Sequence, residues 1–399
     1  MTKNDNSEKI DKALTKRVEQ ILPDKIGLKN LMQKRKIRVY LGIDPTGRRL
    51  HLGHVIPLKK LQDFADLGHE VILVVGTGTV LAGDPSQRDA ARPKILEKEI
   101  KENIKNWKKQ VGNILNFSKV KIKYNGDWLL KLRLKEVIDI ASNISASRLF
   151  QRDMFKKRLE AGNVVWMHEV LYPILQGYDS VFMDIDLEIG GSDQVFNMLV
   201  GRELQQKMRK KEKFVLTCPM ILGTDGKTMS KSSGNCIWID DSPKEKFGKV
   251  MSISDKLIIP YLETLTDLDS EKVKQYKEDL DSNKLNPKDV KKELAFEIVK
   301  TYNSLKEAKI AKEEFEKIFE EKKLPSIIKE FTLSGKINIL DLLIKTELTS
   351  SKSEAKRLVV QKGVRINEVI WDDWKKDVDV KKGMVISVGK RNFAKIKYI

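Results

Sequence analysis

Two histidines stand three residues apart, His51 and His54, in Leu50-His51-Leu52-Gly53-His54. They are half of the four histidines in the 399 residues. In a helix, such a spacing puts both imidazoles on one face. Far downstream lies a polar loop, Lys227-Thr228-Met229-Ser230-Lys231-Ser232-Ser233-Gly234-Asn235. Both segments suit a polyphosphate. A helix N-terminus offers free N–H groups and a positive dipole. Gly53 lets a nucleotide approach the backbone closely. Two imidazoles can donate to phosphate oxygens as charge builds in a transition state, and a Gly/Ser-rich loop with lysines can close over pyrophosphate. Either segment alone would be a weak signal.

A second constellation lies between them. Tyr172, Gln176 and Asp179 in YPILQGYD fall at i, i+4 and i+7. That is one helical face, and a polar stripe amid Leu171, Ile174 and Leu175 faces solvent or a ligand. Pro173 suits a first helical turn.

These residues need elements to hold them. IRVYLGI at 37–43 reads as a buried strand ending at Asp44-Pro45-Thr46-Gly47. LHLGH then opens a helix to about Leu67; Pro57 keeps the motif at its N-terminal end and Gly68 caps the other. VILVV at 71–75 is a second strand, followed by a Gly-rich turn. Strand–helix–strand is the signature of a parallel sheet. Residues 8–22 read as an amphipathic helix stopped by Pro23, residues 94–160 as helix-rich and basic. VFMDIDLEI (181–189) reads as a strand, GGSDQ (190–194) as the start of a helix to about Met208, and FVLTC (214–218) as the last buried strand. Beyond Asp240 the texture turns charged and helical to about 330, and 337–399 reads as two short helices followed by strands at VRINE, GMVISVG and FAKIKYI.

The fold class that follows is α/β. A Rossmann-like parallel-sheet nucleotide-binding domain spans 1–240. An α-helical domain (241–330) and a small α+β domain (337–399) come after it. Apolar content of 40% gives such a chain a sizeable core. A net charge of +19 attracts polyanions, of which nucleic acid is the commonest. Cys218 and Cys236 form no disulfide framework and no zinc signature. The polar N-terminus reads as no signal peptide, no apolar run suits a membrane span, and the chain reads as cytoplasmic.

LHLGH followed by TMSKS resembles the paired HIGH and KMSKS motifs of class I aminoacyl-tRNA synthetases. YPILQGYD resembles the YPxxQxYD signature of bacterial tyrosyl-tRNA synthetases. The resemblance implies that Tyr172 and Gln176, with Asp84 of GDPS, hold a substrate ammonium. It assigns the phenol hydroxyl to Asp179 and Tyr40. Gly191, Asp193 and Gln194 of GGSDQ match the segment for ribose and substrate carboxylate. Asp44, Thr46, Gly53, Met229 and Ser230 match the nucleotide side, and Arg88 and Arg92 a loop that grips pyrophosphate. The motif's first lysine is replaced by Thr228, which leaves Lys227 and Lys231 as rival carriers of the loop's charge. Glu188 stands where some members have Gln, and its role is left open.

In 337–399, 14 Lys/Arg face 8 Asp/Glu. TSSKSEAKRLVVQKGVRIN there resembles a small RNA-binding fold shared with a ribosomal protein and pseudouridine synthases. That implies phosphate contacts from Lys352, Lys356, Arg357 and Arg365, which position RNA without reading its sequence. The combined resemblance implies ligation of tyrosine to its tRNA, with ATP as substrate, Mg2+ bound through the ATP phosphates, no metal site on the protein, and a homodimer formed through a helical insertion at about 110–160 within the first domain. Two rivals share the scaffold: a tryptophan-specific relative, and a catalytically inactive RNA-binding or splicing factor. Asp179 with Tyr40 and the RNA-binding tail argue against the first. His51, His54, Gln194 and Lys231 argue against the second.

Overall fold

Two unbroken apolar runs set the centre of the main sheet. The computed structural model describes residues 3–86, 96–229, 233–319, 328–389 and 392–397. It divides into two units, residues 1–305 and 306–399.

The first unit opens with α1 (Lys3–Ala13), β1 (Gln20–Leu22), α2 (Lys25–Lys34) and β2 (Arg38–Ile43). Next come α3 (Leu52–Asp66), β3 (Glu70–Val75), α4 (Thr79–Ala82), α5 (Glu97–Val111) and β4 (Val120–Tyr124). Four helices follow, α6 (Gly126–Leu129), α7 (Leu134–Ala141), α8 (Ala146–Phe150) and α9 (Asp153–Glu160). Then come α10 (Met167–Met183), β5 (Leu187–Gly191), α11 (Val195–Arg209) and β6 (Phe214–Cys218). Helices α12 (Pro243–Met251), α13 (Ile258–Leu265), α14 (Ser270–Asp281) and α15 (Pro287–Tyr302) complete the unit.

Six strands lie in the order β1-β6-β5-β2-β3-β4. All neighbours are parallel except β1, which runs antiparallel to β6 at the edge. The parallel strands form a doubly wound sheet whose order reverses between β2 and β5. The crevice beyond the carboxyl ends at such a reversal is where open α/β sheets bind ligands. Two of the singled-out segments flank it: HLGH follows β2, and GGSDQ spans the end of β5. The inner strands are buried nearly throughout, as a sheet covered on both faces requires (Val39, Ile72, Val74, Leu187, Val215 and Leu216 are at most 1% exposed).

Several local expectations need correction. The helix read over 8–22 ends at Ala13, and residues 20–22 pair with β6 instead. The strand read over 181–189 begins only at Leu187. Residues 181–183 are the last turn of α10, which stops where Asp184 turns left-handed at φ 53°. Val181 and Met183 are buried as core of that helix, and a short apolar run does not distinguish the two states. Pro173 is not in a first turn, because α10 starts at Met167; it gives up the bond its nitrogen would have donated to the Glu169 carbonyl. A strand also stands inside the region read as helical: Val120, Ile122 and Tyr124 alternate along β4, which pairs with β3.

The second unit contains α16 (Leu305–Phe319) from residue 306 onward, then β7 (Lys329–Thr332), β8 (Gly335–Asn338), α17 (Ile339–Lys345) and α18 (Lys352–Val360). Strands β9 (Val364–Ile366), β10 (Val369–Ile370), β11 (Asp377–Val380), β12 (Val385–Val388) and β13 (Asn392–Lys397) end it. A five-stranded sheet of order β10-β9-β12-β13-β7 sits beside a β11–β8 pair. Leu342, Leu343, Ala355, Val359 and Ile386 are fully buried in its core. Asn367 and Glu368, both at positive φ, make the two-residue turn between β9 and β10. Among the described residues no helix is long and apolar enough to cross a membrane.

Candidate active site

Tyr40 lies mid-strand on β2, fully buried, directly beside Glu188 of β5 across the switch point. Helix α10 supplies the opposing wall. Its stripe turns inward: Tyr172 is 6% and Asp179 2% exposed, with Gln176 half-buried. Asp179 accepts from Trp128 Nε1 at 2.9 Å and from Asn125 Nδ2 at 3.0 Å. Asn125 also donates to Thr79 Oγ1 and accepts from the Gly78 amide, so it is fixed at both ends. Burial pushes the Asp179 carboxyl up to about 8, against the opposing pull of those two bonds. Burial likewise drives the Tyr40 phenol well above its ordinary value, with Glu188 and Asp179 adding to the effect. Ser180 Oγ lies 3.3 Å from the Tyr40 hydroxyl. A carboxyl and a phenol in so dry a place form a polar spot suited to a ligand hydroxyl that can both donate and accept.

The Tyr172 hydroxyl donates to Asp44 Oδ2 at 3.0 Å, and Thr79 Oγ1 donates to Asp44 Oδ1 at 2.7 Å. Gln194 Nε2 donates to Asp84 Oδ2 at 2.9 Å and to Asp193 at 3.2 Å, while Asn197 holds its oxygen at 2.9 Å. The Ser86 amide caps Asp84 Oδ1, and Arg152 reaches the Ser86 hydroxyl at 3.1 Å. The expected residues thus form three hydrogen-bonded groups: Tyr172, Asp44 and Asp179 joined through Thr79 and Asn125, Tyr40 and Gln176 joined through Ser180 and Glu188, and Asp84, Asp193 and Gln194.

At the phosphate-type end, His51 is the N-cap of α3, and its Nδ1 accepts from the Gly53 amide at 3.2 Å. His54 Nδ1 accepts in return from the His51 amide at 3.3 Å. In a neutral imidazole an accepting Nδ1 puts the proton on Nε2, the donor a phosphate would need. The rings lie 4.0 Å apart. Gly53 has a local reason besides ligand approach: a Cβ there would sit 2.9 Å from His51 Nδ1. Thr46 follows β2, its amide donating to the Asp44 carbonyl. Side chains of α5 fix this loop, Asn103 on the Pro45 carbonyl and Trp107 on the Gly47 carbonyl.

The segment after the downstream loop is clipped against the HLGH segment. The Leu52 amide donates to the Ile237 carbonyl, and the Ile239 amide to the Leu50 carbonyl. Asn235, 2% exposed, ties down the loop's first limb by donating to Asp225 and to the Lys227 and Thr228 carbonyls. Lys227 is exposed and Met229 buried. Arg88, Arg92, Ser230 and Lys231 lie outside the described residues. In the second unit, Lys352, Lys356 and Arg357 on or at the start of α18 and Arg365 on β9 are all exposed. Lys352 pairs with Asp341, and the Lys356 ammonium lies 3.9 Å from the Trp374 ring centroid.

Sequence reasoning missed Asn125, Trp128, Ser180 and Lys213, which hold the expected residues from behind. Only Ser180, the residue after Asp179, adjoins a motif; the others are brought in by the fold alone.

The family described as tRNA synthetases class I (W and Y) matches residues 32–320. A tyrosine--tRNA ligase of Thermotoga maritima is 42% identical over 386 residues, 96% of each chain. One of Haemophilus influenzae is 41% identical over 385 residues, again 96% of each. Among solved structures, a C-terminally truncated mitochondrial tyrosyl-tRNA synthetase of Aspergillus nidulans superposes with a TM-score of 0.66 at 21% identity, covering 80% of this chain and 100% of that one. The tyrosyl-tRNA synthetase of Archaeoglobus fulgidus, complexed with L-tyrosine, gives 0.61 at 21%, covering 77% and 99%. The structural likenesses carry the fold; the family match and the full-length identities carry the membership. The chain belongs to the class I tRNA synthetases of the W and Y family, and within it to the tyrosine--tRNA ligases.

Proposed function

We propose that the chain activates L-tyrosine with ATP and transfers it to the 3′ end of its tRNA. The observation that carries this reading is the buried Tyr40–Asp179 pair at the switch point. The phenol hydroxyl of tyrosine donates to Asp179 and accepts from Tyr40. Phenylalanine leaves both unpaired, at a cost of about 1–3 kcal/mol for each buried group. Indole offers one donor and no acceptor in that place.

The ammonium lies among Tyr172, Gln176 and Asp84. The substrate carboxylate, near Gln194, attacks the α-phosphorus of ATP. The bond to the bridging oxygen of pyrophosphate breaks, leaving tyrosyl-adenylate. Asp44, Thr46, Gly53, Gly191 and Asp193 line the nucleotide side, with Met229 and Ser230 from the downstream loop. Mg2+ enters on the ATP phosphates. His51 and His54 donate through Nε2 as charge grows on the phosphates, with Arg88, Arg92, Lys227 and Lys231 as the remaining cations. No covalent enzyme intermediate is needed, so catalysis is positioning and charge stabilisation. The tRNA terminal hydroxyl then attacks the acyl carbon; the bond from that carbon to the phosphate oxygen breaks, AMP leaves, and the hydroxyl proton is released. Lys352, Lys356, Arg357 and Arg365 hold tRNA phosphates, and the reaction takes place in the cytoplasm. Tyrosine-dependent ATP–pyrophosphate exchange tests the reading; a chain that exchanges with no amino acid sinks it.

The working form is a homodimer. Leu134 (75% exposed) and Ile138 (57%) lie at i and i+4 on α7, and Trp166 (54%) and Met167 (65%) stand at the start of α10. So many large apolar side chains left in water mark an interface. Leu134→Glu with Ile138→Glu shifts sedimentation from dimer to monomer; an unchanged dimer removes this surface from consideration.

A further inference from the structure

A fully buried ion pair lies under the proposed pocket. Lys213 precedes β6 and is 0% exposed; Glu188 on β5 is 1% exposed. The Lys213 ammonium uses all three of its donors: on Glu188 Oε2, on Ser180 Oγ at 2.8 Å and on the Met198 carbonyl at 3.1 Å. Room for it exists because α10 and α11 cross at two glycines. A Cβ on Gly201 would lie 2.5 Å from Lys213 Nζ and 3.2 Å from the Gly177 Cα. Burying such a pair is poor value for stability alone, since desolvation offsets the attraction.

Glu188 also accepts from Ser180 Oγ at 3.4 Å, and a further contact points to a use. Glu188 Oε1 accepts from Gln176 Nε2 at 2.9 Å. A carboxylate only accepts, so it takes the amide NH2 and turns the amide oxygen away. That oxygen, Gln176 Oε1, is buried and has no hydrogen-bond partner among the described residues. A buried carbonyl left so is unfavourable until a donor arrives. We propose that the Lys213–Glu188 pair fixes the Gln176 carboxamide with its oxygen toward the ligand, and so builds the subsite for the substrate's ammonium. The proposal rests on the tyrosine reading. Lys213 and Glu188 are positioning residues; they act through Gln176. A neutral amide at position 188 would accept or donate equally well, and the bias would vanish.

Two probes separate positioning from general support. Tyramine keeps the phenol and amine; 3-(4-hydroxyphenyl)propanoate keeps the phenol and carboxylate but has no amine. Calorimetry measures both on the wild type, on Glu188→Gln and on the double variant Glu188→Gln/Lys213→Met, which removes both charges and strands neither. Thermal melts verify folding. The expected result is that tyramine binds about tenfold more weakly to both variants, while the amine-free acid changes less than twofold. Equal weakening of both probes, or of neither, overturns the proposal. A wild type that binds neither probe overturns the tyrosine reading itself.

Discussion

Asp179 and Tyr40 sit among side chains that hold one another, whereas His51 and His54 hold to backbone at a helix end. In the first region every polar atom named is answered from a second layer: Asn125 and Trp128 on Asp179, and Ser180 by Tyr40. In the second, the imidazoles cap the first turn of α3, and the loop opposite is tied through Asn235. Under the proposed function the difference follows the two ends of the ligand. A small neutral hydroxyl is recognised by a dry, rigid pair, because discrimination comes from groups left unpaired by the wrong ligand. A triphosphate changes charge as it reacts, and donors that strengthen only then lower the barrier without tightening ground-state binding.

The comparison breaks most visibly at Asp179. Asp179→Ala strands the Asn125 and Trp128 donors and removes the phenol's acceptor. The stranded donors lower the stability of the fold, and the phenol's lost partner, at about 1–3 kcal/mol, lowers kcat/KM for tyrosine by ~5- to 150-fold. Exchange kinetics measure it, and an unchanged Tyr/Phe preference would place the hydroxyl elsewhere. His54→Ala tests the other region. It lowers the rate of adenylate formation by about 10–100-fold and leaves tyrosine affinity nearly intact, the pattern of a contact made only in the transition state. Equal losses in rate and affinity would make the histidine a ground-state ligand.

A pH series sharpens the contrast. Asp179 is raised from 3.8 to about 8 by burial. A carboxyl raised on folding contributes stability that is full below its ordinary value and is lost as pH rises through the folded value. The melting temperature of Asp179→Asn minus that of the wild type therefore increases between about pH 4 and 8. A flat difference would mean that the carboxyl is not held in a dry site. The smallest effect belongs to the second unit. Arg357→Ala with Arg365→Ala weakens tRNA binding about three- to tenfold and lowers its salt dependence, since fewer counterions are released. Tyrosine-dependent exchange stays unchanged. A matching fall in exchange would give the unit a structural role instead.

Legibility in the sequence followed the same division. The central strands β2, β3 and β6 were readable, because buried parallel strands are continuous apolar runs. Motifs placed His51, His54, Tyr172 and Asp179, because chemistry fixes their spacing. The strand β4 was hidden in a basic helical region, although Val120, Ile122 and Tyr124 alternate. The end of α10 was misread because Val181 and Met183 are apolar on a buried helix as they would be on a strand. Asn125, Trp128 and Lys213 left no signal. They reach the site from 54, 51 and 25 positions away, across the fold.

The most direct test of the account is substrate choice by the wild-type chain. ATP–pyrophosphate exchange is measured with tyrosine, phenylalanine and tryptophan at equal concentration. The account predicts exchange with tyrosine, a kcat/KM for phenylalanine lower by at least ~30-fold from the two hydroxyl partners left unpaired, and none above background with tryptophan. Comparable exchange with phenylalanine, or a preference for tryptophan, would contradict it.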